Sequence, residues 1–117
     1  MRIAICDDEV SMVQILEEKI KKLLPDAVID KYLSGDELIA SGSKPDILFL
    51  DIQMPGITGI EFARTISKKT LVIFTTAYTE YALDSYEVDA IDYLIKPVEA
   101  ERFQKAVDKA LSYHSLL

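Results

Sequence analysis

Short apolar runs alternate along the chain with segments in which apolar residues recur every three or four positions. The runs are typical of β-strands, and their order from the amino terminus is Arg2–Cys6, Val28–Tyr32, Ile47–Leu50, Leu71–Phe74 and Ala90–Leu94. Two of them, Ile47–Leu50 and Leu71–Phe74, are apolar throughout, as in strands that are covered on both faces of a sheet.

The segments after the runs have helical periodicity. In the first, Val13, Leu16, Ile20 and Leu23 predict one buried face, and Pro25 ends the helix. Four later helices are predicted around Leu38 and Ile39, around Ile60, Phe62 and Ile66, around Ala82, Leu83 and Tyr86, and around Phe103, Val107 and Leu111. Five strands alternating with five helices favour an α/β fold with a doubly wound parallel sheet and right-handed crossovers.

Composition restricts the classes of protein that are possible. The chain has 117 residues, of which 50% are hydrophobic and 28% charged, so one globular domain is expected and disorder is excluded. No apolar run approaches the roughly 20 residues of a membrane span. The single cysteine, Cys6, cannot form an internal disulfide, which predicts a reducing, cytoplasmic location.

The formal net charge is −7. Because this charge repels phosphate backbones, we expect the domain by itself to bind neither nucleic acid nor anionic membranes.

Polar groups of complementary chemistry follow four of the strands. Asp7 and Asp8 follow the first, Asp51 the third, Thr75-Thr76 the fourth, and Lys96 comes shortly after the fifth. Ligands of open α/β sheets bind outside the carboxyl ends of the strands, so these groups are expected to converge.

Three converging carboxylates repel one another unless a cation or a proton joins them. Oxygen ligands suit a hard cation, and two carboxylates plus waters match the usual coordination of Mg²⁺. Zinc is disfavoured because the chain has one histidine and one cysteine. A lysine and a hydroxyl nearby would supply the counter-charge and hydrogen-bond donor that a phosphoryl group needs.

Other interpretations compete with this site. A flavin or nucleotide held by its phosphate is disfavoured, because the first strand is followed by Asp7-Asp8-Glu9 in place of a glycine-rich turn. Taken singly, Asp7 and Asp8 fit helix capping, Lys96 fits a solvated lysine, and Tyr93 fits a core aromatic.

Four motifs in order make the chain resemble the receiver domain of two-component response regulators. They are Asp7-Asp8-Glu9, Asp51-Ile52-Gln53-Met54-Pro55-Gly56, Thr76-Ala77 and Tyr93-Leu94-Ile95-Lys96-Pro97. The stretches 74–83 and 88–97 are similar to the subgroup in which a LytTR-type DNA-binding domain follows the receiver. The resemblance implies a flavodoxin-like (βα)5 fold with strand order 2-1-3-4-5, in which residues 1–117 form the receiver and the effector domain lies outside this chain.

The resemblance also implies roles for individual residues. Asp51 would be the phosphoacceptor, taking a phosphoryl group from a histidine kinase or from a small donor such as acetyl phosphate. Asp8, Asp51 and the backbone carbonyl of Gln53 would bind Mg²⁺, with Asp7 acting through a water. Thr76 and Lys96 would bind the phosphoryl group, Tyr93 would move inward behind Thr76, and the Lys96–Pro97 bond would be cis.

In this interpretation the domain is a switch and not an enzyme. The fourth predicted helix, the fifth strand and the last helix would form the output face, which we expect to mediate homodimerisation or contact with an effector that binds DNA. The alternative is a Mg²⁺-dependent phosphatase with an aspartyl nucleophile. That class usually has a second acid two residues after the nucleophile, which protonates the leaving group, and this chain has Gln53 there.

Overall fold

A computed structural model of the protein describes residues 1–54, 69–77 and 90–117. Residues 55–68 and 78–89 lie outside the described residues. They include the predicted third helix, the Pro55-Gly56 part of the turn after Asp51, and the fourth predicted helix, which is one of the three elements of the predicted output face. In the described residues, no helix is long and apolar enough to cross a membrane.

Five parallel strands form one sheet in the order β2-β1-β3-β4-β5. They are β1 (Arg2–Cys6), β2 (Val28–Tyr32), β3 (Ile47–Asp51), β4 (Leu71–Thr76) and β5 (Ala90–Ile95). The predicted fold class and strand order are confirmed. The last three strands run one or two residues further than predicted, so Asp51, Thr75 and Thr76 lie within the sheet.

Three helices are described: the first helix (Val10–Leu23), the second helix (Gly35–Ser41) and the C-terminal helix (Ala100–His114). Ser34 caps the second helix, since its hydroxyl accepts a hydrogen bond from the Glu37 backbone N–H at 3.1 Å. Gly42 ends the same helix with a φ of 65°, a left-handed conformation that glycine adopts without strain.

The sheet has a core on each face. On the face that we call the helical face, the first and C-terminal helices pack on alternate strand residues such as Ile5, Phe49 and Ile73. The rings of Phe49 and Phe103 stack there with centroids 5.5 Å apart. The opposite face contains Cys6, Leu50, Phe74 and Leu38 of the second helix. Both β3 and β4 are buried along their whole length, as their apolar sequences predict.

Two predicted helix residues differ from the expected pattern of burial. Leu23 is 36% exposed, because it lies in the last turn of the first helix, and Met12 joins the buried face at the other end. Ile39 is 54% exposed, since the short second helix buries only Gly35 and Leu38.

Candidate functional site

Two buried carboxylates lie side by side where β1 and β3 end. Asp7 is fully buried directly after β1, and Asp51 is the last residue of β3 with 4% of its surface exposed. Asp8 and Glu9 are exposed beside them. Each of the four side chains offers an oxygen, and these oxygens lie within 4.8 Å of one another. We call these four residues the acidic site.

The turn after β1 holds Asp7 toward this site. Asp7 Oδ1 accepts a hydrogen bond from the Glu9 backbone N–H at 2.9 Å. Glu9 is the N-cap residue of the first helix, and no side chain accepts a capping hydrogen bond there. Helix capping therefore does not account for Asp7 and Asp8.

Asp51 is destabilised as an anion in this setting. Burial, followed by the charge of Asp7, raises the pKa of Asp51 to about 7, although Lys96 and the Gln53 N–H act in the opposite direction. The Gln53 N–H donates to Asp51 Oδ1 at 3.2 Å, while the Gln53 side chain is exposed.

Lys96, just beyond β5, reaches across the strand ends to three acids. Its Nζ lies 3.0 Å from Asp7 Oδ2, 3.2 Å from Glu9 Oε1 and 3.6 Å from Asp51 Oδ2. Burial opposes the charged form, but the contacts with Asp7 and Asp51 outweigh it and raise the pKa of Lys96. Lys96 is thus a partly buried ion-pair partner, not the solvated lysine of the alternative interpretation.

The neighbouring residues complete the strand ends. Thr76 is buried at the end of β4, and its carbonyl accepts a hydrogen bond from the Lys96 N–H at 2.8 Å. Tyr93 is partly buried and stacks on Phe74, with ring centroids 5.4 Å apart, next to the core of the opposite face. The Lys96–Pro97 peptide bond is cis, as the resemblance implies.

The structure adds Glu9 to the predicted site residues. The signal was present in the run Asp7-Asp8-Glu9, but only the fold brings Glu9 Oε1 within 3.2 Å of Lys96. The single histidine, His114, lies away from the site: its Nε2 is 3.4 Å from Oδ1 of Asp46, which directly precedes β3 at the amino ends of the strands. Cys6 is buried, and burial raises the pKa of its thiol to about 12, so it is unreactive.

The donor set of the acidic site fits magnesium. All four donors are carboxylate oxygens, which suit a hard cation, and two of them face solvent, where waters can complete an octahedral shell. A divalent cation would also offset the burial and the repulsion from Asp7 that together raise the pKa of Asp51. A site that holds a cation, a lysine ammonium and a nucleophilic carboxylate together can bind a phosphoryl group and accept it covalently.

Comparison with known proteins gives a consistent set of matches. Residues 3–108 match the family described as the response regulator receiver domain. Sensory transduction protein LytT of Bacillus subtilis is 35% identical over 118 residues, covering 93% of this chain and 47% of that protein. An uncharacterized response regulatory protein of Vibrio cholerae is 51% identical over 73 residues, covering 61% of this chain and 31% of that protein. The chain therefore spans a third to a half of these relatives.

Solved structures agree with these sequences. The beryllofluoride-activated DrrB receiver domain superposes with a TM-score of 0.85 at 27% identity, covering 95% of this chain and 97% of that chain. The response regulator TrrA of Thermotoga maritima, in complex with Mg²⁺ and beryllofluoride, gives a TM-score of 0.80 at 32% identity, covering 93% of this chain and 97% of that chain.

Proposed function

Since the chain belongs to the response regulator receiver domain family and acts in phosphorylation-dependent signalling, we propose that Asp51 is its phosphoacceptor. The donor is a sensor histidine kinase or a small phosphodonor, and Mg²⁺ is the cofactor. The observation that carries the proposal is the position of Lys96 Nζ, 3.0 Å from Asp7 Oδ2 and 3.6 Å from Asp51 Oδ2. These contacts place side chains from the ends of β1, β3 and β5 around the carboxylate of Asp51.

Phosphoryl transfer from a phosphohistidine would form a bond between Asp51 Oδ and phosphorus while the bond from phosphorus to the imidazole nitrogen breaks. The imidazole leaves with the electron pair of that bond. Mg²⁺ bound by Asp8, Asp51 and the Gln53 carbonyl, with Asp7 through a water, would neutralise the carboxylates and the phosphoryl oxygens. Lys96 and the Thr76 hydroxyl would then contact oxygens of the phosphoryl group on Asp51.

The same step would work as a switch. Phosphorylated Asp51 would carry about −1.5 to −2 charges on its phosphoryl oxygens, which draws Lys96 away from Asp7 and Glu9. Thr76 moves with it, and Tyr93 moves inward behind Thr76. β5 and the C-terminal helix follow. Together with the fourth predicted helix, which lies outside the described residues, they would form the surface for homodimerisation or for contact with an effector.

The output is proposed to be transcriptional. Among the matched proteins are LytT of Bacillus subtilis and the positive alginate biosynthesis regulatory protein of Pseudomonas aeruginosa, of which this chain covers 47% in each case. We therefore propose that residues 1–117 form the receiver and that DNA is bound only through an effector domain outside this chain. The proposed location of the protein is the cytoplasm.

The phosphatase alternative is weaker. An aspartyl phosphatase needs an acid that protonates the leaving group, and the residue two positions after Asp51 is Gln53, whose amide cannot do so. The domain is therefore proposed to be a phosphoacceptor with slow self-catalysed turnover at most.

The test is labelling with acetyl phosphate and Mg²⁺, read by intact-protein mass spectrometry. One phosphoryl group is expected on the wild type and none on Asp51→Asn. The matched control is Asp26→Asn, which changes an exposed aspartate near the amino end of β2, away from the carboxyl ends of the strands, and should label like the wild type. Labelling of Asp51→Asn, or turnover of many phosphomonoesters by the wild type, would overturn the proposal.

A further inference from the structure

Thr75, the residue before Thr76, carries a buried hydroxyl that makes no hydrogen bond. Its surface is 1% exposed, and Oγ1 has no partner among the described residues. A hydroxyl removed from water without a partner destabilises the folded state. Valine has nearly the same shape and no hydroxyl, so valine at this position would avoid that loss of stability.

The position of Thr75 in the sheet puts it next to the phosphoacceptor. Thr75 of β4 is in register with Asp51 of β3 on one side and with Leu94 of β5 on the other. Side chains in register on neighbouring parallel strands point to the same face. Thr75 and Asp51 continue the alternation of Ile73 and Phe49, so both belong to the helical face.

Asp51 has room for another donor. Its Oδ1 accepts from the Gln53 N–H at 3.2 Å, while Lys96 Nζ is 3.6 Å from Oδ2, which is long for a hydrogen bond. A carboxylate has about four lone-pair sites, so acceptor capacity remains beside a donor that has no acceptor.

We propose that Thr75 is a positioning residue for Asp51, whose Oγ1 donates to the Asp51 carboxyl oxygen that stays free of phosphorus when the phosphoryl group arrives. This inference rests on the proposed function. It is distinct from the role of Thr76, whose hydroxyl contacts the phosphoryl group itself. The bond forms as the phosphoryl group is transferred, and it holds the plane of the carboxyl group while the other oxygen bonds to phosphorus.

The unpartnered state of the hydroxyl gives this bond its effect on the switch. In the unmodified protein Thr75 carries a penalty, and in the phosphorylated protein that penalty is relieved. An interaction made in only one of two states shifts the equilibrium toward that state. Thr75 therefore favours the phosphorylated state by destabilising the resting one.

The experiment compares Thr75→Val with Thr75→Ser. Three quantities are measured at one pH: the urea midpoint without metal, the initial rate of labelling by acetyl phosphate with Mg²⁺, and the affinity for beryllofluoride by ¹⁹F NMR. Thr75→Val should keep or raise the midpoint, and lower the rate and the affinity about three- to tenfold, the size of one hydrogen bond. Thr75→Ser should lower the midpoint through its lost methyl group and retain the rate and the affinity.

Thr70→Val is the matched control. Thr70 Oγ1 donates to the Pro45 carbonyl at 2.8 Å. Thr70 directly precedes β4, so it lies at the amino ends of the strands, whereas the site lies at their carboxyl ends. This variant should lower the midpoint and leave the labelling rate unchanged. The inference is overturned if the wild type and Thr75→Val have equal labelling rates and equal affinities for beryllofluoride. It is also overturned if Thr75→Ser lowers the rate and the affinity as much as Thr75→Val does. Absence of any Asp51 label on the wild type would overturn the proposed function itself, and this inference with it.

Discussion

Lys96 contacts three acidic side chains, and its side chain is only 13% exposed. Replacement by methionine would leave buried Asp7 and Asp51 without this counter-charge. In the metal-free protein we expect Lys96→Met to lose about 3 kcal/mol of unfolding free energy at pH 8. The loss should be smaller at pH 5, where Asp51 can take up a proton because its pKa is about 7.

Urea unfolding of both proteins at the two pH values measures this difference. Lys31→Met is the control, since Lys31 pairs with Glu17 at the exposed surface and should lose little at either pH. An equal loss at pH 5 and pH 8 would contradict the assigned role of Lys96 in the charge balance.

The pH dependence of stability is a second residue-level property. The pKa of Asp51 is about 7 in the folded protein and about 3.8 in the unfolded chain, so between these values the folded state holds a proton that the unfolded state releases. Stability contributed by this group is present at low pH and is lost as the pH rises toward 7 and above. In the absence of metal, Asp51→Asn should remove that decline, which amounts to a few kcal/mol at most.

Asp46→Asn provides the control of opposite sign. The Arg2 N–H bond, which outweighs burial, and His114 lower the pKa of Asp46, so its contribution is present above its unfolded pKa and is lost on acidification. The slope of the unfolding free energy against pH should therefore change between about pH 4 and 7 in Asp51→Asn, and only below about pH 4 in Asp46→Asn. A pH profile unchanged by Asp51→Asn would refute the raised pKa.

At the level of elements, Arg102 of the C-terminal helix binds β5 next to a shift in the pairing of β5 with β4. Its register with β4 shifts between Val72 and Ile73, whose partners are Ala90 and Asp92. The Arg102 guanidinium donates to both carboxylate oxygens of Asp92 and to the Tyr93 carbonyl. This contact fixes the strand just after the shift, four residues before Lys96.

We expect a double-mutant cycle of Arg102→Met and Asp92→Asn to give a coupling energy of about 1 kcal/mol in urea unfolding, because the pair is bidentate but partly exposed. The pair Lys21–Glu17, 3.7 Å apart on the first helix, should give a few tenths of a kcal/mol in the same cycle. Equal coupling in both pairs would show that Arg102 is an ordinary surface contact.

For the whole molecule, ligand binding should appear as stability. Mg²⁺ with beryllofluoride should raise the free energy of unfolding by about 2.7 kcal/mol at a hundred times the dissociation constant. The gain should be absent in Asp51→Asn and present in Asp26→Asn, as followed by thermal unfolding at increasing ligand concentration. A gain that survives in Asp51→Asn would mean that the ligand binds elsewhere.

Much of this architecture follows from local pattern. The fully apolar runs in β3 and β4 and the helical spacing of Val13, Leu16 and Ile20 predict their elements, because burial on one or both faces imposes a period on the chain. Asp51 and Lys96 could be identified as candidates because the carboxyl ends of parallel strands share one edge. The strand order came from the resemblance of four motifs, which no periodicity contains.

The sequence by itself thus determined the elements, the acidic balance and the residues at the strand ends. Only the tertiary structure decided that Glu9 reaches Lys96, that Asp51 has a pKa of about 7, and that the Thr75 hydroxyl is buried beside it. These properties depend on the register of neighbouring strands and on distances of a few ångströms between residues far apart in the chain. Electrostatic and hydrogen-bond energies change steeply over such distances, whereas a hydrophobic pattern is unaffected by them.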